Sequence, residues 1–597
     1  MSCQIASFDV ALTPTIVPEN QAASQSAPFH PSTITLPKGF RKSEKNAAFP
    51  VETLFERDVA VPMRDGTKLY CDIFRPTGKT NVTAILVWSP YGKGGNGPHG
   101  LHMIEGRFGV PEERLSGYEK FEGLDPADWV GHDYAIVNFD LRGCWNSEGD
   151  IPWLGSQDGR DGYDAIEYVA QLEWCNGKVA LAGNSWLAMS QWFIAAEQPP
   201  HLAAFAPWEG ASDFYRDTLA RGGVPYPYQR FWKILESSMV GRGKVEAITK
   251  MLTQYPLFNG YWEDKVAKLE RVTAPCYVLA SYSTSLHTSG SIGGFNSLGS
   301  KEKWLRVHPK QEWSDLYSDA STKDLRRFLD FYTKDVGNGW PSTPRVRVSL
   351  LPFNDSPVEN IAFNSYPVPQ TRYTKLFLTG SGELCLDPPV NSSQLSYRSD
   401  LVPTKPDHNP EELLFSYKFQ NPTWLVGYSK AVLHISAEIA QDLDVFVQLR
   451  KMNNEGELLQ HLNVPLDKLV PPNSSAEEVP NSCFLKYLGP TGVLRATHAG
   501  TLIPSSDPHA WPRYTHDQKE KAVKPNQIYR LEVPIWPSGM TFEAGESLVL
   551  KVAGHYMSMM EFEFLNHQQD IENVGRHTLH LGNAEASYLI APFVEPI

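Results

Sequence analysis

The sequence lacks the features that would place a protein in a membrane or in an oxidising compartment. No stretch approaches the ~20 consecutive apolar residues that span a bilayer, and the first residues show no charged-then-apolar signal pattern. The seven cysteines are scattered, without C-x-x-C pairs or a regular spacing, which is typical of reduced, buried thiols. We therefore expect a cytoplasmic protein with no membrane partner.

The sequence also has fewer basic than acidic residues. The 597 residues include 54 Lys and Arg against 68 Asp and Glu, a formal net charge of −14, which argues against nucleic acid as a partner. The glycine-rich stretch 92–97 lacks the G-K-[ST] ending of a phosphate-binding loop. No motif calls for a metal or an organic cofactor, so we expect neither. The oligomeric state stays open, and a homodimer is one option.

One short motif contains a candidate catalytic residue. Residues 181–187 read Leu-Ala-Gly-Asn-Ser-Trp-Leu, between an apolar run and a helix-like segment. A serine on a sharp turn from strand to helix is the geometry of a nucleophile elbow, and the small Gly183 relieves crowding in such a turn. Ser185 is therefore the candidate covalent catalyst. Leu187 stands where the general motif has glycine, and a bare G-x-S match recurs by chance.

The surroundings of the motif predict the fold class. Apolar runs at 84–88, 133–139 and 178–182 read as buried strands, and residues 159–172 read as an amphipathic helix. Strands and helices that alternate at this spacing are typical of a mostly parallel sheet covered on both faces. The sequence thus predicts an α/β core.

Four ordered blocks strengthen this interpretation: Asp140-Leu-Arg-Gly-Cys-Trp-Asn-Ser-Glu-Gly149, Asp158-Gly-Arg-Asp-Gly-Tyr-Asp164, Glu173-Trp-Cys-Asn-Gly177 and Gly183-Asn-Ser-Trp-Leu187. Together they resemble the serial signature of the cocaine-esterase-like and X-Pro dipeptidyl-peptidase (CocE/NonD) family of serine hydrolases. The resemblance extends over most of the chain from about residue 50. It implies an α/β-hydrolase core with an inserted helical cap, followed by a C-terminal all-β jelly-roll sandwich.

The domain boundaries follow from changes in composition and pattern. The first residues are rich in Ser, Pro, Ala and Thr, and from about 345 onward short alternating runs are separated by turn residues. We expect an N-terminal arm (1–45), the first part of the hydrolase core (46–210), a helical cap (211–268), the second part of the core (269–344) and the β-sandwich (345–597).

A serine hydroxyl needs a base, and the base needs an orienting acid. In this fold the chain order is serine, acid, histidine, and His308, at the end of the strand predicted at 304–307, has the best position for the base. The resemblance also offers an alternative alignment at this point. The family's histidine follows a Pro-Trp-Ser-like stretch, and an ungapped comparison places Glu312 in its position.

The acid is the clearest departure from the family pattern. Relatives have a Trp-Tyr-Asp-like segment after the preceding strand, whereas residues 280–287 read Ala-Ser-Tyr-Ser-Thr-Ser-Leu-His, without a carboxylate. Either the acid has migrated or the triad is degraded. Glu209, directly after the strand predicted at 202–207, is the preferred acid. Asp213 is second, although it suits the N-cap of a helix. His287 is either a polar pocket residue or the start of a helix.

Two donors are available for an oxyanion. The backbone N–H of Trp186 directly follows the nucleophile, and Tyr91 lies in a segment whose tyrosine has this role in the family. We expect a serine hydrolase or acyltransferase that acts through an acyl-enzyme on an ester, thioester or amide of a small metabolite. A non-hydrolytic member that binds or cyclises a metabolite is the alternative. An X-Pro dipeptidyl peptidase is less favoured, because no acidic pair for a substrate ammonium is evident, and a binding protein that uses the sandwich is weaker still.

Overall fold

The computed structural model describes most of the chain. The described residues are 4–20, 28–94, 100–103, 105–225, 229–284, 286–353, 355–401, 406–407, 409–439, 442–469, 475–504, 511–519, 522–566 and 572–597.

An eleven-stranded sheet forms the core of the N-terminal half. Its strands are β1 (Ser32–Leu36), β2 (Thr53–Pro62), β3 (Lys68–Pro76), β4 (Val82–Ser89), β5 (Tyr134–Asp140), β6 (Cys175–Asn184), β7 (Leu202–Trp208), β8 (Cys276–Ser281), β9 (Lys303–His308), β10 (Val346–Leu350) and β11 (Val358–Phe363). Their order is β11-β10-β9-β8-β7-β6-β4-β5-β3-β2-β1. The strands from β10 to β5 pair in parallel, and β4 and β5 are buried along their whole length, as is typical of a sheet covered on both faces.

Helices connect these strands. They are α1 (Pro126–Val130), α2 (Ser156–Ala170), α3 (Trp186–Ala196), α4 (Gln229–Ser237), α5 (Ile248–Gln254), α6 (Gly260–Asp264), α7 (Thr288–Ser297), α8 (Glu312–Leu316) and α9 (Asp319–Lys334). Glycines allow α2 and α3 to pack closely, because a Cβ on Gly159 or Gly162 would meet atoms of α3. The short helices α4 to α6 lie between β7 and β8 and form the inserted cap.

The C-terminal half is a largely antiparallel β-structure. Its strands are β12 (Arg372–Leu378), β13 (Leu384–Cys385), β14 (Ser393–Arg398), β15 (Leu413–Lys418), β16 (Thr423–Ala437), β17 (Asp444–Met452), β18 (Thr491–Arg495), β19 (Tyr529–Phe542), β20 (Ser547–Ala553), β21 (Arg576–Leu581) and β22 (Tyr588–Val594). They follow the order β13-β12-β22-β16-β19-β18-β17-β20-β15, and β21 joins β14 to β16. The predicted fold class, an α/β-hydrolase core with a helical cap and a C-terminal jelly-roll-like sandwich, is confirmed.

The N-terminal segment differs from the expected surface arm. Strand β1 pairs with β2 at the edge of the main sheet, and Leu12–Pro14 pairs with Lys244–Glu246 of the cap. The prediction of a surface arm was wrong for this strand because an edge strand exposes most of its side chains, as β1 does. Its composition therefore resembles that of a loop. Part of residues 1–45 thus belongs to the core and the cap.

The boundary between the two halves also lies later than expected. Strand β10 was expected to open the sandwich, but it pairs in parallel with β9, and β11 follows it at the edge of the same sheet. A short alternating strand carries the same sequence signal in either sheet, so the pattern could not assign β10. The main sheet therefore extends to Phe363.

Polar contacts join the two halves. The cap residue Asp213 forms an ion pair of 2.8 Å with Arg513, and the Arg221 guanidinium lies 3.6 Å from the ring centroid of Trp536. Within the described ranges, no helix has the length and apolarity to cross a membrane.

We expect Gly183→Ala to destabilise the protein by about 1–3 kcal/mol. Gly183 has φ +141°, and an added Cβ would lie 2.7 Å from the Cβ of Leu187, so the elbow has to shift. Urea denaturation would measure the loss. The matched control is Gly337→Ala, since a Cβ there meets no atom within 4 Å. Equal stability of the two variants would contradict this account of the turn.

Candidate active site

Ser185 stands between β6 and α3 in a strained conformation. Its φ is 56° and its ψ is −117°, in the left-handed half of conformational space that a residue with a side chain rarely adopts. Its N–H donates to the carbonyl oxygens of Trp208 (3.1 Å) and Glu209 (3.0 Å) at the end of β7. The neighbouring strand therefore holds the serine in place, and strain held in this way is typical of functional sites.

His287 is the histidine that contacts Ser185. Its Nε2 lies 3.0 Å from the Ser185 Oγ, and the side chain is buried directly before α7. Burial lowers the pKa of His287 to about 4, so the imidazole is neutral near neutral pH. In the tautomer that carries its proton on Nδ1, Nε2 can accept the serine proton. The sequence offered His287 only as a pocket residue or a helix start.

His308 lies elsewhere in the site. Its Nε2 forms a short hydrogen bond with Glu209 Oε1, and Glu209 also accepts a hydrogen bond of 2.8 Å from the Ser281 hydroxyl. In the described part of the chain, no hydrogen bond joins His308 to Ser185. The expected pair of base and acid is therefore present, but the serine contacts another histidine.

Strand order explains why His308 does not reach the serine. Strands β6, β7, β8 and β9 are successive neighbours, and neighbouring strands lie about 4.8 Å apart, so the ends of β6 and β9 are separated by about 14 Å. His308 is the last residue of β9 and has no loop to extend it. His287 follows β8 by six positions, and this loop carries it back towards β6.

Glu312 and Asp213, the other candidate acids, have different surroundings. Glu312 Oε2 accepts a hydrogen bond of 2.7 Å from Asn184 Nδ2 and lies 4.0 Å from His287 Nε2. Burial and the charges of Glu209 and Glu122 raise the pKa of Glu312 well above its usual range. Asp213 instead pairs with Arg216 and Arg513, both at 2.8 Å. Burial opposes its ionisation, but these two cations hold its pKa below the ordinary value.

The two expected oxyanion donors lie beside the serine. The hydroxyl of Tyr91 interacts with that of Ser185, and burial raises the pKa of Tyr91 well above its usual value, so the phenol keeps its proton. The Trp186 amide lies at the first position of α3. Both groups can therefore donate hydrogen bonds at the reacting centre.

Glu122 is the site residue that sequence reasoning missed. Its Oε1 accepts a hydrogen bond of 3.0 Å from Trp313 Nε1, and its carboxyl faces the Ser185 hydroxyl and the Trp186 amide. Burial raises the pKa of Glu122 to about 8. It lies in an irregular segment before α1 and belongs to no motif, so no sequence signal could have identified it. Within the described residues, no group of three or more His, Cys, Asp or Glu side chains is arranged to hold a metal ion.

Comparisons with known proteins identify the family of this chain. Residues 65–239 match the family model "X-Pro dipeptidyl-peptidase (S15 family)", and residues 338–590 match "X-Pro dipeptidyl-peptidase C-terminal non-catalytic domain". The crystal structure of a CocE/NonD family hydrolase from Staphylococcus aureus is 28% identical, with a TM-score of 0.80 over 91% of this chain and 94% of that one. The chain belongs to the CocE/NonD, X-Pro dipeptidyl-peptidase-like family.

Two further matches cover less of the chain or have a lower identity. Cocaine esterase of a Rhodococcus strain is 30% identical over 164 residues, which are 27% of this chain and 24% of that enzyme. The match thus spans about a quarter of the relative's length. An aminopeptidase from a marine sediment archaeon (Thaumarchaeota) is 16% identical with a TM-score of 0.64, which is a likeness of fold alone. The protein is thus a member of a serine hydrolase family.

We expect the stability of Glu122→Gln, relative to that of the natural protein, to increase as the pH rises from mildly acidic values to about 8. A glutamate has a pKa of about 4.3 in an unfolded chain, and the pKa of Glu122 is raised to about 8 in the fold. The neutral form therefore favours folding, and this contribution is fully present below about pH 4.3 and is lost as the pH rises to about 8. Glutamine stays neutral throughout.

The measurement is the melting temperature of both proteins across this range of pH. Glu113→Gln is the control, because Glu113 is exposed in the same region of the chain. Melting curves of Glu122→Gln and the natural protein that stay parallel at every pH would contradict the raised pKa.

Proposed function

We propose that this protein is a serine hydrolase that forms an acyl-enzyme with an ester, thioester or amide of a small metabolite. Ser185 is the nucleophile and His287 the base. The observation that supports this most strongly is the 3.0 Å contact between His287 Nε2 and Ser185 Oγ, because a serine hydroxyl becomes nucleophilic only when a neighbouring group takes its proton.

The groups around this contact suit the steps of acyl transfer. His287 takes the proton of Ser185 while Oγ attacks the carbonyl carbon, and the developing oxyanion faces the Trp186 amide and the Tyr91 hydroxyl. His287 then returns the proton to the leaving group, and water or another nucleophile releases the acyl group. If the acceptor is an alcohol or amine that excludes water, the same residues act as an acyltransferase.

One neighbouring carboxylate supports the imidazolium form of His287. Burial lowers the pKa of His287, and the charge of Glu209 opposes this effect. Glu312, whose own pKa is raised by burial, lies 4.0 Å from Nε2. Among the described residues, no ion-pair contact is made to Nδ1, the nitrogen that the acid of a serine protease triad holds. His308, bound to Glu209, acts through that glutamate and is a positioning residue in this scheme.

Covalent labelling with a fluorophosphonate tests the assignment. We expect one adduct, mapped to Ser185 by peptide mass and absent in Ser185→Ala. His287→Ala should slow labelling by about 10²- to 10⁴-fold, the usual contribution of a general base, because the variant lacks the imidazole that contacts Ser185. His308→Ala and Glu209→Gln should slow it less.

Circular dichroism would show that each variant is folded. Rapid labelling of His287→Ala together with loss of labelling in His308→Ala would refute the assignment and restore His308, the base expected from the sequence. An unlabelled Ser185 in the folded natural protein would refute serine catalysis.

A non-hydrolytic reaction is the second candidate. The observation that favours it is the carboxyl of Glu122, which faces the Trp186 amide. In its ionised form this carboxyl would repel an oxyanion, and the site would then suit binding or cyclisation of a metabolite without an acyl-enzyme. The absence of a fluorophosphonate adduct in the folded protein is the result that this candidate requires.

A further inference from the structure

We propose that Glu122 is a catalytic residue of this site. As a neutral carboxylic acid, it donates a hydrogen bond to the substrate carbonyl oxygen as that oxygen becomes an oxyanion. The inference rests on the proposed function, because it requires acyl transfer at Ser185. It assigns to a carboxyl group the work that amide and hydroxyl donors do in other oxyanion holes.

The position of the Glu122 carboxyl is the first argument. The residue is only 2% exposed, and Oε1 is held by the indole N–H of Trp313 at 3.0 Å. The other oxygen, Oε2, is buried and satisfies no hydrogen bond among the described residues. The carboxyl faces the Ser185 hydroxyl and the Trp186 amide. Because Oε2 is buried beside the nucleophile and has no hydrogen-bond partner among the described residues, it is suited to form a hydrogen bond with an atom of the substrate.

The backbone keeps the carboxyl at that place. Glu122 has φ 65°, a left-handed conformation that is unfavourable for a residue with a side chain and persists only where the surroundings hold it. Its carbonyl oxygen accepts a hydrogen bond of 3.0 Å from the N–H of Asn184, the residue before the nucleophile. The segment around Glu122 is thereby tied directly to the elbow.

The surroundings keep this carboxyl protonated. Burial is the main cause that raises its pKa to about 8, and the negative charge of Glu209, after β7, adds to it. The other titratable groups that act on it are Glu312 of α8, Tyr91 after β4 and Tyr317 after α8. In the described ranges, no Lys or Arg forms an ion pair with Glu122. The carboxyl is thus a neutral donor near neutral pH.

The step balances without a further reactant. The Ser185 proton passes to His287 Nε2 as the bond from Oγ to the carbonyl carbon forms. The electron pair of the C=O double bond moves to the carbonyl oxygen, which accepts hydrogen bonds from the Trp186 amide and from the Glu122 and Tyr91 hydroxyl groups. When the C=O bond re-forms, the bond to the leaving group breaks, and the leaving group takes the proton from His287. Glu122 keeps its own proton throughout.

The rate of fluorophosphonate labelling across a range of pH tests this role without knowledge of the substrate. In the natural protein we expect the rate constant to fall as the pH rises through about 8, because ionised Glu122 repels the phosphonyl oxygen. Glu122→Gln retains a neutral donor of the same shape and should lack this alkaline loss. Glu122→Ala should label roughly 100-fold more slowly below that pH, as for the loss of one oxyanion donor.

The control is Glu119→Gln. Burial raises the pKa of Glu119 to about 7, but the charges that act on it are those of Asp125, Lys42 and Arg107, not those of the site. This variant should keep the alkaline loss of the natural protein. An infrared difference spectrum between the natural protein and Glu122→Gln should also show the C=O band of a protonated carboxyl at neutral pH.

The outcomes separate the two proposals. Ser185 labelled in the natural protein, with the same alkaline loss in Glu122→Gln, would overturn the role of Glu122 and leave the proposed function intact. Labelling of Glu122→Ala at the natural rate, in a folded protein, would do the same. No labelling of Ser185 in any of these proteins would overturn both.

Discussion

The burial of three glutamates around one serine is the constraint on which the site depends. Glu122, Glu209 and Glu312 are each at most 2% exposed, and among the described residues none of them has a Lys or Arg as an ion-pair partner. A carboxylate that leaves water without a cation loses several kcal/mol of solvation. At Glu122 and Glu312 the site meets this cost by keeping protons, because burial raises the pKa of both, whereas Glu209 is paired with His308. The groups that face Ser185 are therefore neutral, with a neutral imidazole at His287 and a neutral phenol at Tyr91.

The C-terminal half takes part in this arrangement. The N–H of Gln311 donates to the carbonyl oxygen of Asn463 at 2.8 Å, and the rings of Trp313 and Phe484 lie 5.4 Å apart. These contacts fix the start of α8, which carries Glu312, and Trp313 in turn holds the carboxyl of Glu122. Because the sandwich supports these residues, it contributes to the geometry at Ser185 as well as to the overall architecture.

Sequence reasoning succeeded where a local pattern determines local structure. The elbow and the parallel core follow from short motifs and apolar runs, and the position of Tyr91 beside the serine follows from the family resemblance. The contact partner of the serine did not follow, because it depends on how a loop folds back: the last residue of β9 is too far away, and the loop after β8 brings His287 to Ser185. The place of β10 depends on which sheet accepts a short strand. Glu122 could not be found from its neighbours in the chain, since only the fold brings it to Asn184.

The missing carboxylate after β8 has a different meaning once the geometry is known. At that position the chain supplies a histidine, and after β9, where relatives supply a histidine, it supplies Glu312 beside His287. Histidine and carboxylate have thus exchanged strands relative to the family pattern. Such an exchange is possible because a catalytic constellation depends on position in space rather than on order in the chain. The exchange is not a mirror image, because Glu312 approaches the same nitrogen as Ser185, and Nδ1 is buried without a hydrogen-bond partner among the described residues. Orientation of the imidazole therefore depends on packing around His287, which is buried at the start of α7. In the proposed mechanism a ring fixed by packing, with the charge of Glu209 nearby, replaces the directly bonded acid of an ordinary triad, and this makes the identity of the oxyanion donors more important for the rate.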